Sequence, residues 1–444
     1  MDRLRLLVVL VALLVAGPLV VDLGAAPAAQ LAIPTAWCGT GVTAADRLPD
    51  ALGGQQIHVV YAVPSDGPDR FVATATGIAT DIATIDAWWR REDPTRTIRF
   101  DTFPFPNCSG LGQLDISFVR LPQAAAVYAP FDGRFGRLIT DLLPTFDLSG
   151  KKYLVYVDAA IEGANVCGQA SIGQPQRGPT FAFVYLGVPR CGTLGGGAYT
   201  ASTAVHELVH ALGAVPVGAP NRCAESAHTC DNGSDLMHPN GSEDNPIETI
   251  SLDVGRNDYY AHSGSWADVQ DSPFLRRLEL PQQQLTVSLG GPAGGSTVAS
   301  EAPGIDCPTA CSVAWDGGAR VTLHAAAADN LRFVRWSGAC TGTDTTCELT
   351  MDGPKTATAL FGPSTYTGRV SVVGKGLVTN PATGLRCART CSARFDADQT
   401  FAFKATSVQG WKFTGWAGDC RGKTLCRLRF DKPHAVRATF TKLR

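Results

Sequence analysis

Three side chains open the chemistry of this chain: His206, Glu207 and His210, in the run His206-Glu207-Leu208-Val209-His210. Residues four apart on a helix share one face, so the two imidazoles can reach a single ion from that face. Zinc accepts imidazole nitrogen, and a catalytic zinc keeps one position open for water. Glu207 then sits beside the ion and not on it, placed to take a proton from that water and deliver it to a leaving amine. With 8 histidines in the whole chain, the spacing is unusual enough to carry weight. It predicts hydrolysis of peptide bonds on Zn2+.

The two histidines need a partner. The segment NRCAESAHTCDNGSDLMHP at 221–239 supplies candidates: His228 first, then Asp231, Asp235, Glu225 and His238. A third imidazole preserves the field that suits zinc, and a Cys223–Cys230 bond would hold His228 on a tight loop. Met237 is read as apolar support beneath the site. Tyr259, with Tyr260 beside it, is read as further support, its phenol able to stabilise an oxyanion.

The pattern His-Glu-x-x-His-x-x-Gly, ending at Gly213, resembles the metzincin metalloproteases. The resemblance implies a metzincin-like α/β (α+β) domain, a glycine that lets the chain turn back under the metal, and a Met-turn-like segment at Met237. Metzincins place their third ligand where this sequence has Pro216, which has no donor atom; the third ligand is therefore displaced. HELVHALGAV, AHTCD, SDLMHP and NDYYAH together resemble an uncharacterised group of exported bacterial metzincin-like proteins.

The elements that must carry these residues are legible as periodicity. VATATGIATDIATIDAWWRRE at 72–92 has a helical apolar rhythm, and TIRFDTF at 97–103 alternates like a strand. KKYLVYVDA at 151–159 and TFAFVYLGV at 180–188 read as further strands. The site helix is expected to start with Ser202 or Thr203 as N-cap and to end at Gly213, with Pro216 preventing a restart.

Toward the C-terminus the chain repeats itself. GIDCPTAC at 304–311 returns as GLRCARTC at 384–391, and FVRWSGAC at 333–340 as FTGWAGDC at 413–420. Alternating stretches between these anchors predict two small β-rich modules at 285–362 and 366–443. Each has a Cys-x3-Cys pair and a second close pair, expected to form two local disulfides. The modules resemble divergent internalin B-repeats of bacterial surface and secreted proteins, which implies binding or spacing and not catalysis.

The 444 residues thus divide into a leader at 1–28, a zinc peptidase domain at 35–275 and the two modules. Arg3 and Arg5 precede an apolar run from Leu6 to Ala16, and Ala26-Pro27-Ala28 offers a cleavage site; this predicts a signal peptide and no stable membrane insertion after its removal. An even 14 cysteines agree with an oxidising, extracellular setting. Order along the chain pairs Cys38 with Cys108, Cys167 with Cys191 and Cys223 with Cys230. The net charge of -2 hides an asymmetry: residues 366–444 hold 15 Lys and Arg against 4 acids. Expected partners are a protein or peptide substrate and, through 366–444, an anionic cell-wall or polysaccharide surface. The rival reading is a cell-surface or matrix-binding protein whose zinc domain is inactive or structural.

Overall fold

The computed structural model describes residues 32–108, 113–146, 150–162, 166–188, 190–191, 194, 198–224, 226–240 and 245–444. The expected signal peptide at 1–28 and the candidate Glu225 lie outside the described residues.

The N-terminal domain is built on a five-stranded sheet. Its elements run β1 (Gln56–Val63), α1 (Phe71–Glu92), β2 (Arg96–Ile98), β3 (Thr102–Phe103), β4 (Gln113–Leu114), β5 (Ile116–Arg120), α2 (Ala125–Tyr128), α3 (Arg134–Leu142), β6 (Lys151–Ala160), β7 (Gly168–Ala170), β8 (Phe181–Gly187), α4 (Ala198–Ala211) and β9 (Leu275–Arg277). The sheet order is β5-β1-β6-β8-β7. Four strands are parallel, and only the edge strand β7 runs antiparallel, against β8. Such sheets are covered on both faces, which is why β1 is buried along its whole length. One face carries α1 and α4, packed through Val59, Tyr61, Ile78, Ile82, Val205 and Leu208. The other carries α2 and α3, through Val60, Val155, Leu138 and Phe183. In α1 the buried Phe71, Ala75, Ile78, Ile82, Ile85 and Trp89 recur at helical spacing, as the sequence predicts.

Two expectations need correction. The stretch 97–103 is not one strand: β2 pairs with β9, β3 pairs with β4, and the chain between them bridges to β1 at Ile57. The break turns the Asp101 carboxylate inward to Lys151 and His58. The site helix begins at Ala198, so Ser202 and Thr203 lie inside it and cap nothing. Ser202 is accommodated because its hydroxyl donates to the Tyr199 and Asn245 carbonyls, the back-bonding that satisfies a helical serine.

Each C-terminal module is a pair of four-stranded sheets. In the first module, Ser312–Trp315, Gln283–Gly290, Lys355–Pro363 and Leu331–Gly338 lie side by side in that order. The second repeats this with Thr390–Asp396, Thr365–Val373, His434–Lys442 and Trp411–Gly418. All 14 cysteines pair into seven disulfides, among them Cys38–Cys108, Cys167–Cys191, Cys223–Cys230 and two short-range bonds in each module. Among the described residues no helix is long and apolar enough to cross a membrane.

The first module is docked on the N-terminal domain. Gly53 N–H donates to the Ala314 carbonyl at 2.8 Å, and a side chain at Gly53 would collide with Trp315. The buried Arg99 guanidinium meets the Asp316 carboxylate across the same junction.

Candidate metal centre

Helix α4 brings His206 and His210 onto one face, and nearly all of it is buried. Its C-terminus is closed as the sequence predicts. Gly213 adopts φ +92°, its N–H donates to the His210 carbonyl at 2.9 Å, and Ala214 N–H reaches back to Val209 at 3.1 Å. Only glycine takes that φ without strain, and a Cβ there would also press on Pro175 and Gly173. Lys152 secures the same end: its ammonium donates to the Ala211 carbonyl at 2.9 Å, a cation on the negative end of the helix dipole. Burial pulls that ammonium down to about 7.

Beyond the turn the chain returns over α4 as a loop stapled by Cys223–Cys230. Cys223 N–H donates to the His228 carbonyl at 2.7 Å and Thr229 N–H to the Met237 carbonyl at 2.9 Å. This construction delivers His228 Nε2 to within 3.3 Å of His206 Nε2 and 3.2 Å of His210 Nε2. Asp235 is committed elsewhere, accepting from Met237 N–H and Val254 N–H. Pro216 takes no part.

Hydrogen bonding alone does not account for this convergence. His206 Nδ1 donates to the Leu236 carbonyl at 2.6 Å, which leaves its Nε2 as a lone pair. His228 Nε2 carries at most one hydrogen and faces two nitrogens. Burial, with the neighbouring rings adding to it, pulls His206 down to about 4 and lowers His210 and His228 as well, so all three are neutral donors at physiological pH. Tetrahedral zinc with metal–nitrogen bonds of about 2.0–2.1 Å sets neighbouring nitrogens about 3.3 Å apart. The trio fits that ion.

Glu207 lies on the sheet side of the same helix. Its carboxylate rests over Gly168 of β7: a Cβ at Gly168 would come within 2.5 Å of Glu207 Cγ and 2.8 Å of its Oε1. No motif marked Gly168 in the sequence; its role follows from close approach and not from a turn. Gly168→Ala is expected to shift the carboxylate by about 1 Å and lower peptide cleavage roughly 10²-fold, with metal content unchanged. Wild-type cleavage by the variant would remove Gly168 from the site.

Met237 is fully buried in the core shared with Val205 and Leu208. Tyr259 is also fully buried, and its phenol is spent: it donates to Asp235 Oδ1 at 3.0 Å and accepts from Asp253 N–H at 2.8 Å. Tyr260 donates to Asp93 at 2.6 Å. Neither hydroxyl is free to meet an oxyanion. Through Asp235, Tyr259 instead braces the turn whose Leu236 carbonyl orients His206.

Residues 297–365 and 377–444 match the Divergent InlB B-repeat domain. No curated protein sequence matches the chain. Among solved structures, wild-type OgpA from Akkermansia muciniphila is 11% identical, covering 87% of this chain and 97% of that one at a TM-score of 0.28. A catalytically inactive OgpA in complex with an O-glycopeptide substrate is 10% identical, covering 90% and 100% at 0.27. The Bacillus anthracis TIE protein is 7% identical at 0.15, and the match spans 36% of this chain and about a third (34%) of that one. Likenesses at these TM-scores establish neither fold nor activity.

Proposed function

We propose that this chain is a secreted zinc-dependent endopeptidase of metzincin-like type, with two surface-associating modules. The observation that carries the reading is the meeting of three neutral imidazole nitrogens, two of them on a helix that also buries Glu207. His206, His210 and His228 would hold the zinc; when bound it supplies a Lewis acid and an acidified water. Glu207 accepts the proton of the attacking water and returns it to the departing amine. Leu236 fixes the His206 tautomer through its carbonyl. The edge strand β7 runs beside Glu207 through Gly168, and its outer backbone groups can pair with an extended peptide. Complete pairing of the cysteines supports action outside the cytoplasm.

Protein purified without chelators is expected to hold close to one zinc per chain and to cleave casein or gelatin, with cleavage stopped by phenanthroline. A chain without stoichiometric transition metal would end the proposal. His228→Ala is expected to weaken zinc affinity more than 100-fold, beyond the 10- to 100-fold typical of outer-sphere changes. Far-UV circular dichroism should be unchanged, since the loop stays stapled by Cys223–Cys230. Undiminished zinc content in that variant would remove His228 from the ligand set.

A further inference from the structure

The two modules share one backbone and differ in the charge that each sheet presents to solvent. In the second module, Arg394 stands opposite Thr367, Arg369 opposite Ser392 and Ala435, and Arg437 opposite Ser371 and Ala417. Each arginine is therefore one strand over and two residues along from the previous one. Residues related this way lie about 7–8 Å apart on the same face. The three form a diagonal across three adjacent strands, all exposed to solvent. Among the described residues no carboxylate lies within ion-pair distance of them; Arg394 donates to Thr365 Oγ1 at 3.0 Å. Asp396 closes the end of this face, opposite Thr365.

Like charges lined up on a sheet cost stability unless a partner neutralises them. The first module avoids that cost. Its registers put Thr286 where the second has Arg369, Ala314 where it has Arg394, and Thr358 where it has Arg437, while Ser312 and Ser288 match Ser392 and Ser371. The fold does not need the arginines. In the first module the strand holding Ala314 is covered by Leu52 and Gly53 of the N-terminal domain, whereas Thr390–Asp396 is the edge of its sheet.

We propose that the Arg394–Arg369–Arg437 face binds a linear acidic polysaccharide. Guanidinium forks pair with carboxylate or sulfate, and the interleaved Thr367, Ser371 and Ser392 offer hydroxyls to sugar. The residues between the arginines are Ser, Thr and Ala, with no aromatic ring for the base stacking that single-stranded nucleic acid uses. A second basic group, Arg386, Lys404 and Arg427, lies on the other sheet of the module, where the Thr379 strand separates Arg386 from Lys404. It provides the control.

The test is titration of the full-length protein with heparin at 50 and 200 mM NaCl. Parent binding should weaken steeply with salt. R369T/R394A/R437T, which installs the first module's residues, should lose at least tenfold in affinity and reduce the salt slope by about 2–3. R386T/K404T/R427T removes the same charge from the other sheet and should lose less than threefold. R369Q/R394Q/R437Q repeats the first result should the Thr/Ala set fold poorly. Equal losses from both faces, no heparin binding by the parent, or tighter binding to oligothymidine than to heparin would each overturn the assignment. None of these outcomes depends on the peptidase reading.

Discussion

Glu207→Gln is expected to lower peptide hydrolysis by about 10²–10⁴-fold while zinc content stays at the parent level. The amide keeps the shape of the carboxylate and its packing over Gly168, but it cannot accept a proton from water. The three imidazoles are untouched, because His206 is oriented by Leu236 and His228 by its stapled loop, neither of which involves residue 207. Casein cleavage and metal content measured on the same preparation separate the two effects. Cleavage by Glu207→Gln equal to the parent, or absent from both after zinc loading, would favour a matrix-binding protein with a structural metal. Loss of zinc together with activity would assign Glu207 to holding the site and not to proton transfer.

Lys151→Met is expected to destabilise the N-terminal domain by about 3–5 kcal/mol at pH 8, the cost of stranding buried charge. Lys151 Nζ, fully buried, donates to Asp46 and Asp101 at 2.6 Å each and to Asp50 at 3.1 Å. Asp101 also accepts from His58 Nδ1 at 2.7 Å. His58 Nε2 lies 2.9 Å from Ser117 Oγ, whose own hydrogen goes to the Ala45 carbonyl, so the imidazole donates from both nitrogens and is charged. Removing Lys151 leaves one imidazolium against the Asp46 and Asp101 carboxylates, because burial keeps Asp50 protonated at pH 8.

The deficit should shrink in acid. Burial, reinforced by the neighbouring Asp101, raises Asp46 to about 6 and Asp50 to about 9 from 3.8. A folded-state value above the unfolded one means the folded chain holds protons that the unfolded chain has released. That contribution is complete below about pH 4 and drains away as pH rises through 6 and 9. Asp50 holds its proton at both pH values; at pH 5 Asp46 is largely protonated too, and less charge is stranded. Urea midpoints of parent and variant at pH 5 and pH 8 test this; coincident midpoints at pH 8 would show that Lys151 compensates nothing.

The helix carrying His206 and His210 was legible because its signal is local. Two histidines one turn apart, an acid between them and a glycine after them are fixed by backbone periodicity, whatever the rest of the chain does. The repeats were legible for a similar reason: each module closes its disulfides within a few residues and buries alternate side chains along its own strands. The start of α4 was misplaced because Ser202 and Thr203 look like caps, whereas inside the helix the Ser202 hydroxyl meets the Tyr199 carbonyl one turn back and the Asn245 carbonyl 43 residues away. Tyr259 looked available to chemistry because its partners Asp235 and Asp253 reach it only through loop folding.

Sequence alone determined which side chains could bind a metal, which helix presents two of them, and how the cysteines within each C-terminal module pair, since all of these rest on short-range spacing. Tertiary structure decided that His228 is the residue of the 221–239 segment that meets them, that Gly168 leaves room for Glu207, and that Lys151 neutralises aspartates from two distant segments. Those outcomes depend on distances between strands and loops far apart in the chain. Packing sets such distances, and no local pattern encodes them.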